Sequence, residues 1–183
     1  MPVTLFFFVS LWRAPVSGFS SVRSALNYRA SMLLDSYLSS KFRCWSFYIF
    51  ACYRGTGGRA QYVAKDWSEV HLDLPLSWRT RNYVGTIFGG SMYSAVDPIY
   101  MVMLIRRLGK DYVVWDKAAS IQFKKPGRET LHARFVVTDG ELAAIRAALE
   151  TQRSVDRTYL IELKDSSGTV CATVERLIYI RKR

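Results

Sequence analysis

Residues 82 to 98 read Asn-Tyr-Val-Gly-Thr-Ile-Phe-Gly-Gly-Ser-Met-Tyr-Ser-Ala-Val-Asp-Pro, and they constrain the chain more than any other stretch. Gly89 and Gly90 stand where an apolar helix over residues 89–108 begins. Gly109 closes it as a C-cap, with Arg106 and Arg107 in the last turn. Small backbone at a helix start leaves amide N–H groups unpaired and aimed outward, with the positive end of the helix dipole behind them. Such a start suits a polarised carbonyl or an anion. Asp97 lies about two turns beyond Gly90 and can face whatever is bound there. Pro98 removes one intrahelical donor, so a kink is expected near Asp97.

The elements around this helix follow from periodicity and punctuation. Residues 31–53 read as a helix stopped by Gly55-Thr56-Gly57-Gly58. Val70, Leu72 and Leu74 alternate with Glu69, His71 and Asp73, a strand with one wet face that Pro75 ends. Trp78 to Arg81 is a polar approach to the glycine loop. Beyond the long helix, Tyr112–Lys124 and Leu131–Val137 read as strands separated by the turn Lys125-Pro126-Gly127-Arg128. Thr138-Asp139-Gly140-Glu141 is a capping box ahead of Leu142, Ile145 and Leu149. Tyr159–Leu163 and Val170–Ile180 form a hairpin about Asp165-Ser166-Ser167-Gly168. The order is α+β, with a sheet wrapped around a central helix.

The 183 residues suffice for one core, and 50% hydrophobic content excludes a disordered chain. The net charge of +11 is uneven: residues 1–60 hold seven Lys or Arg against Asp35 alone. The remainder is modestly basic, which suits phosphate-bearing ligands and weak nonspecific nucleic-acid contact, but no nucleic-acid motif is present. Cys44, Cys52 and Cys171 lack CxxC spacing and fit free thiols in a reducing compartment. His71 and His132 are far apart in sequence and outside any ligand spacing, so no metal site is expected. No apolar run reaches the roughly 20 residues needed to cross a bilayer. Met1–Leu34 has three arginines, several serines and no acid, which fits a transit peptide; Met32 is the simpler expected start. Residues 1–31 are therefore read as an extension and 32–183 as a single domain.

The stretches Arg81-Asn82-Tyr83-Val84-Gly85-Thr86-Ile87-Phe88-Gly89-Gly90, Asp97-Pro98, Tyr112-Val113-Val114-Trp115-Asp116-Lys117 and Lys125-Pro126-Gly127 occur together and in order. From about Val70 onward the chain resembles the hotdog-fold thioesterases, most closely the domain of unknown function 4442 group, related to the phenylacetate-pathway acyl-CoA thioesterases. The resemblance implies a hotdog fold, an antiparallel sheet around a long central helix, here with an extra N-terminal helix and an inserted helix. It implies hydrolysis of acyl-CoA or acyl-carrier thioesters in the cytoplasm, with coenzyme A only as part of the substrate and no other cofactor. It also implies a homodimer or a dimer of dimers, joined through sheet edges, with sites at the interface and no specific nucleic acid partner. On this reading Gly89 and Gly90 hold the thioester oxygen, Asp97 is general base or nucleophile, and Asn82 orients water or carbonyl. Phe88 stands where such enzymes carry histidine. Phe88, Ser91, Lys124, Lys125 and Arg128 are the expected substrate contacts, the bases meeting phosphate.

Each residue also has a structural explanation. The glycines suit close packing of a helix start, Asp97 a helix kink, Asn82 an Asx turn, and the bases a solvated turn. Asp116 and Lys117 point to opposite faces of their strand, so one can line the site and the other lie at a subunit boundary; a solvated edge is the simpler expectation for them. Phe88 fits a slower enzyme, a different acyl group or a binding protein without catalysis. Against hydrolysis stand a non-catalytic acyl-CoA or fatty-acyl binding protein and a basic protein docking on nucleic acid or anionic membrane. A dehydratase or isomerase is weakened by the missing histidine.

Overall fold

The computed structural model describes residues 38–183. The expected extension 1–31 and the first part of the expected N-terminal helix lie outside them. Helix α1 covers residues 38–49, and α2 is Ala51–Thr56. The expected single helix is thus interrupted at Phe50, whose carbonyl accepts from Tyr53 and Arg54. It runs on to Thr56, where Gly57 closes it at φ +83°, a left-handed value that glycine adopts without strain.

The strands are β1 (Arg59–Val63), β2 (Glu69–Leu74), β3 (Tyr112–Phe123), β4 (Leu131–Val136), β5 (Val155–Lys164) and β6 (Val170–Lys182). They form one antiparallel sheet in the order β1-β2-β4-β5-β6-β3. Sequence reading omitted β1. A register shift between Ala60 and Tyr62 breaks its alternation, so no two-residue period was visible. β5 starts earlier than expected because Asp156 and Arg157 belong to a paired strand segment and not to a loop.

The central helix is two pieces, α3 (Gly89–Val96) and α4 (Ile99–Leu108). The expected kink is a break at Asp97-Pro98. Asp97 N still donates to Tyr93 O (3.1 Å), and Val102 N reaches Pro98 O (3.0 Å), so both helix ends remain satisfied. Val70, Leu72 and Leu74 on β2 join Ile99, Met103 and Leu104 in one core with Phe135 and Ile178. Among the described residues no helix is long and apolar enough to cross a membrane.

Helix α5 (Asp139–Thr151) starts as its code requires: Thr138 Oγ1 accepts from Glu141 N at 3.1 Å. The Glu141 carboxylate does not turn back to complete the box. It accepts from Arg157 (2.9 and 2.8 Å) and Tyr159 (2.9 Å), tying α5 to β5.

Candidate active site

Two backbone hydrogen bonds fix the approach to α3, Ile87 N to Gly127 O (2.8 Å) and Phe88 N to Thr80 O (2.7 Å). Phe88 is the N-cap and brings no side-chain acceptor, so nothing from its own cap satisfies the first-turn amides. Both glycines lie close under exposed aromatic rings. A Cβ on Gly89 would lie 2.7 Å from the Phe123 ring, and one on Gly90 2.3 Å from the Phe88 ring. Asn82 holds its own loop: Oδ1 accepts from Val84 N (3.1 Å) and Thr86 N (3.0 Å), while Nδ2 donates to Thr86 Oγ1 (2.9 Å). Asn82, Gly89, Met92, Phe123, Lys124 and Lys125 surround a cleft of about 350 Å³.

Asp97 ends α3 on the same helix face as Gly90, seven residues on. Its Oδ1 accepts from Nη1 of Arg176, a β6 side chain that is only 2% exposed. Nη1 also donates to the Tyr93 hydroxyl at 3.2 Å, and the guanidinium sits 5.5 Å from the Tyr93 ring centre. Asp116 Oδ1 lies 2.8 Å from Nη2, an ion-pair contact without an aligned hydrogen bond. Burial opposes the charge on Arg176, but the two carboxylates outweigh it and hold its pKa above the usual arginine value. One buried cation therefore sits between two partly exposed acids.

A profile described as Domain of unknown function (DUF4442) matches residues 44–180. The chain belongs to the DUF4442 family. No curated protein matches this DUF4442 chain in sequence. Among solved structures it is similar to a Pseudomonas aeruginosa protein of unknown function described as a probable thioesterase. That match has 15% identity and a TM-score of 0.68, and spans 77% of this chain and 93% of the other. A protein of unknown function from Chlorobaculum tepidum matches at 16% identity and TM-score 0.63, over 79% and 95% of the two chains. A thioesterase from Haemophilus influenzae matches at 13% identity and TM-score 0.54, over 70% and 81%. The DUF4442 chain thus has the hotdog fold, in which a sheet packs around a central helix.

The structure divides the residues read from the sequence. Asn82, Gly89, Lys124 and Lys125 share the cleft at the start of α3. Asp97 opens on a separate cavity of about 500 Å³ between α1–α2 and α3–α4. Phe88 is exposed with its ring over Gly90, Ser91 is buried in the first turn, and Arg128 is exposed outside the cleft lining.

Arg176 escaped the sequence reading, yet it carried a signal. Ala172, Val174, Arg176, Ile178 and Ile180 occupy the buried phase of β6. A charge in that phase needs a partner within reach. Asp116 corrects the expectation of a solvated edge. The register of β3 on β6 shifts between Asp116 and Ala118, and such a bulge re-aims side chains. Asp116 meets Arg176, whereas Lys117 pairs with Asp156 at 2.6 Å.

The two histidines, distant in sequence, are close in the DUF4442 fold. Asp73 pairs with His132 across β2 and β4, and His71 stands two residues along on the same outer face. His71 Nε2 is 2.7 Å from Glu69, and His132 Nδ1 is 2.7 Å from Asp73. They border a depression of about 830 Å³, whose lining includes neither the glycines nor Asp97. Among the described residues no group of three or more His, Cys, Asp or Glu is arranged to hold a metal ion.

Proposed function

We propose that this protein hydrolyses thioesters of acyl-CoA or of an acyl-carrier protein. The observation that carries the reading is that the central helix carries both an uncapped Gly89–Gly90 start and, at the end of its first piece, the Asp97 carboxylate. The amides receive the thioester oxygen as negative charge builds on it, each donor being worth about 3–4 kcal/mol of barrier. Asp97 takes the proton of the attacking water. With Oδ1 engaged by Arg176, Oδ2 is the oxygen available to that water. Lys124 and Lys125 at the cleft suit the phosphates of coenzyme A, which enters only as part of the substrate. The reaction so written needs no metal and no redox group. The free thiols Cys44, Cys52 and Cys171 suit the reducing cytoplasm where such esters occur.

Gly90 and Asp97 are separated by roughly 10 Å along the helix axis, and Gly89 and Asp97 open on different cavities. One chain does not bring both to one carbonyl. A second copy joined along the edge strand β3 resolves this, with Gly90 of one protomer facing Asp97 of the other. β3 is an edge strand beside β6, its Asp116 shares Arg176 with Asp97, and it exposes Trp115 and Phe123; pairing it would cover an open row of backbone donors and acceptors.

The Phe88 and Phe123 rings over the two glycines favour a second reading, a protein that binds acyl-CoA without turnover. Thiol release from short, medium, long and aromatic acyl-CoA esters separates the two. Release supports the hydrolase, whereas saturable binding without release supports the binding protein. Sedimentation of the purified chain tests the dimer.

A further inference from the structure

We propose that the cavity beneath α1 and α2 is an acyl-chain site, and that it takes a medium to long aliphatic chain. The inference rests on the thioester reading for the identity of the head group. The space of about 500 Å³ is walled by Phe47, Ile49, Phe50, Tyr53, Trp67 and Val102, and its size lies in the range that small-molecule sites occupy. Asp97 is on the same wall, so a chain lodged here leaves its carbonyl end beside the carboxylate.

The hydroxyl groups of the wall bear on the chemistry of the chain, because each already donates a hydrogen bond within the protein, and the charged groups, Asp97 and Arg106, lie on the α3–α4 wall. Ser46 Oγ donates to Arg43 O (2.6 Å), and Ser94 Oγ to Gly90 O (2.7 Å). Thr56 Oγ1 donates to Tyr53 O (2.8 Å) and accepts from Gly58 N (3.0 Å). The Tyr53 hydroxyl donates to Ala95 O (3.3 Å), and the Arg106 guanidinium lies 5.4 Å over the Trp67 ring. Along the face formed by α1 and α2, a hydroxylated or amide-bearing acyl group would leave water and find hydroxyl donors already committed. An alkyl chain gives up no hydrogen bond on entry and gains from the burial of its methylenes.

Cys52 supplies a probe that does not depend on turnover, since it lines this cavity and is exposed. Burial pushes the Cys44 and Cys171 thiols up, so Cys52 is the thiol open to alkylation. The experiment follows iodoacetamide labelling of Cys52 in the full chain, with and without S-dodecyl coenzyme A, a thioether that is not hydrolysed. The proposal expects at least a roughly tenfold slowing, with little protection by coenzyme A alone. In the release assay, kcat/KM should rise by about fourfold per methylene until the cavity is filled. Ile49→Trp, at an exposed position on the wall, should shift the preferred chain length downward. Protection of Cys52 without any thiol release would uphold the cavity assignment and overturn the hydrolase. Thiol release with undiminished Cys52 labelling and a flat chain-length profile would overturn the cavity assignment and leave the hydrolase standing.

Discussion

Arg176 and Asp97 meet between sheet and helix, with Nη1 of the guanidinium donating to Oδ1 of the carboxylate. Their exposures are very unequal: the arginine is 2% accessible and the aspartate 43%. The cation is therefore the member that depends on the pair, and the acid keeps a side open to the cavity. Asp116 on the neighbouring strand completes a carboxylate–guanidinium–carboxylate row. The row anchors the proposed catalytic acid to the sheet, as a positioned general base requires.

Removing the cation leaves two acids facing a vacated apolar position. Arg176→Met should lower stability by about 2–4 kcal/mol, less than for a fully buried pair because both acids touch solvent. Adding Asp116→Asn should recover part of that loss. Urea midpoints of the single and double variants measure it, and an unchanged midpoint for Arg176→Met would show that the row carries no stability.

Acid conditions test the sheet's outer face. Hydrogen bonds from Arg134 first, and from His71 next, hold the Glu69 carboxyl below the usual glutamate range. A depressed folded-state pKa gives stability that is fully present above the unfolded value, about 4.3, and is lost as pH falls through the folded value. Glu69→Gln should therefore destabilise at pH 7 and flatten the decline below about pH 4. Arg134 is largely exposed, so the effect should stay under about 1 kcal/mol. A titration of unfolding free energy that is unchanged in the variant contradicts the assignment.

Two glycines should respond in opposite ways. Gly57→Ala places a Cβ 2.2 Å from Thr80 Cγ2 at a residue with φ +83°, combining strain with a clash in a buried setting. Its cost should be about 2–4 kcal/mol. Gly90→Ala meets only the exposed Phe88 ring, which can swing aside. Stability should move by no more than about 1 kcal/mol, while thiol release falls by roughly 100-fold as the amides are crowded. Thermal unfolding and turnover of both variants check the contrast.

Much of the fold was legible because its signals are local. The glycines at 89, 90 and 109, the Thr138 cap and the alternation of β2 and β4 each appear within a few residues. β1 was hidden by its bulge, and the start of β5 by charges that pair across the sheet. For the site, the sequence singled out Gly89, Gly90 and Asp97 but not their environment. Arg176 lies 79 positions from Asp97, and only the register of β6 brings them together. The division between the glycine cleft and the Asp97 cavity depends on how α1 and α2 cover the central helix, which no local pattern encodes.

The central claim is that Asp97 performs chemistry on a thioester and does more than anchor Arg176. Steady-state thiol release by wild type and Asp97→Asn on one accepted acyl-CoA, with folding verified for each, addresses it most directly. The variant keeps the shape of the side chain, and Arg176 keeps Asp116. The account predicts a fall in kcat of roughly 100- to 10,000-fold, in the range of a lost general base, with the affinity for acyl-CoA little changed. A folded Asp97→Asn that turns over as fast as wild type would contradict it.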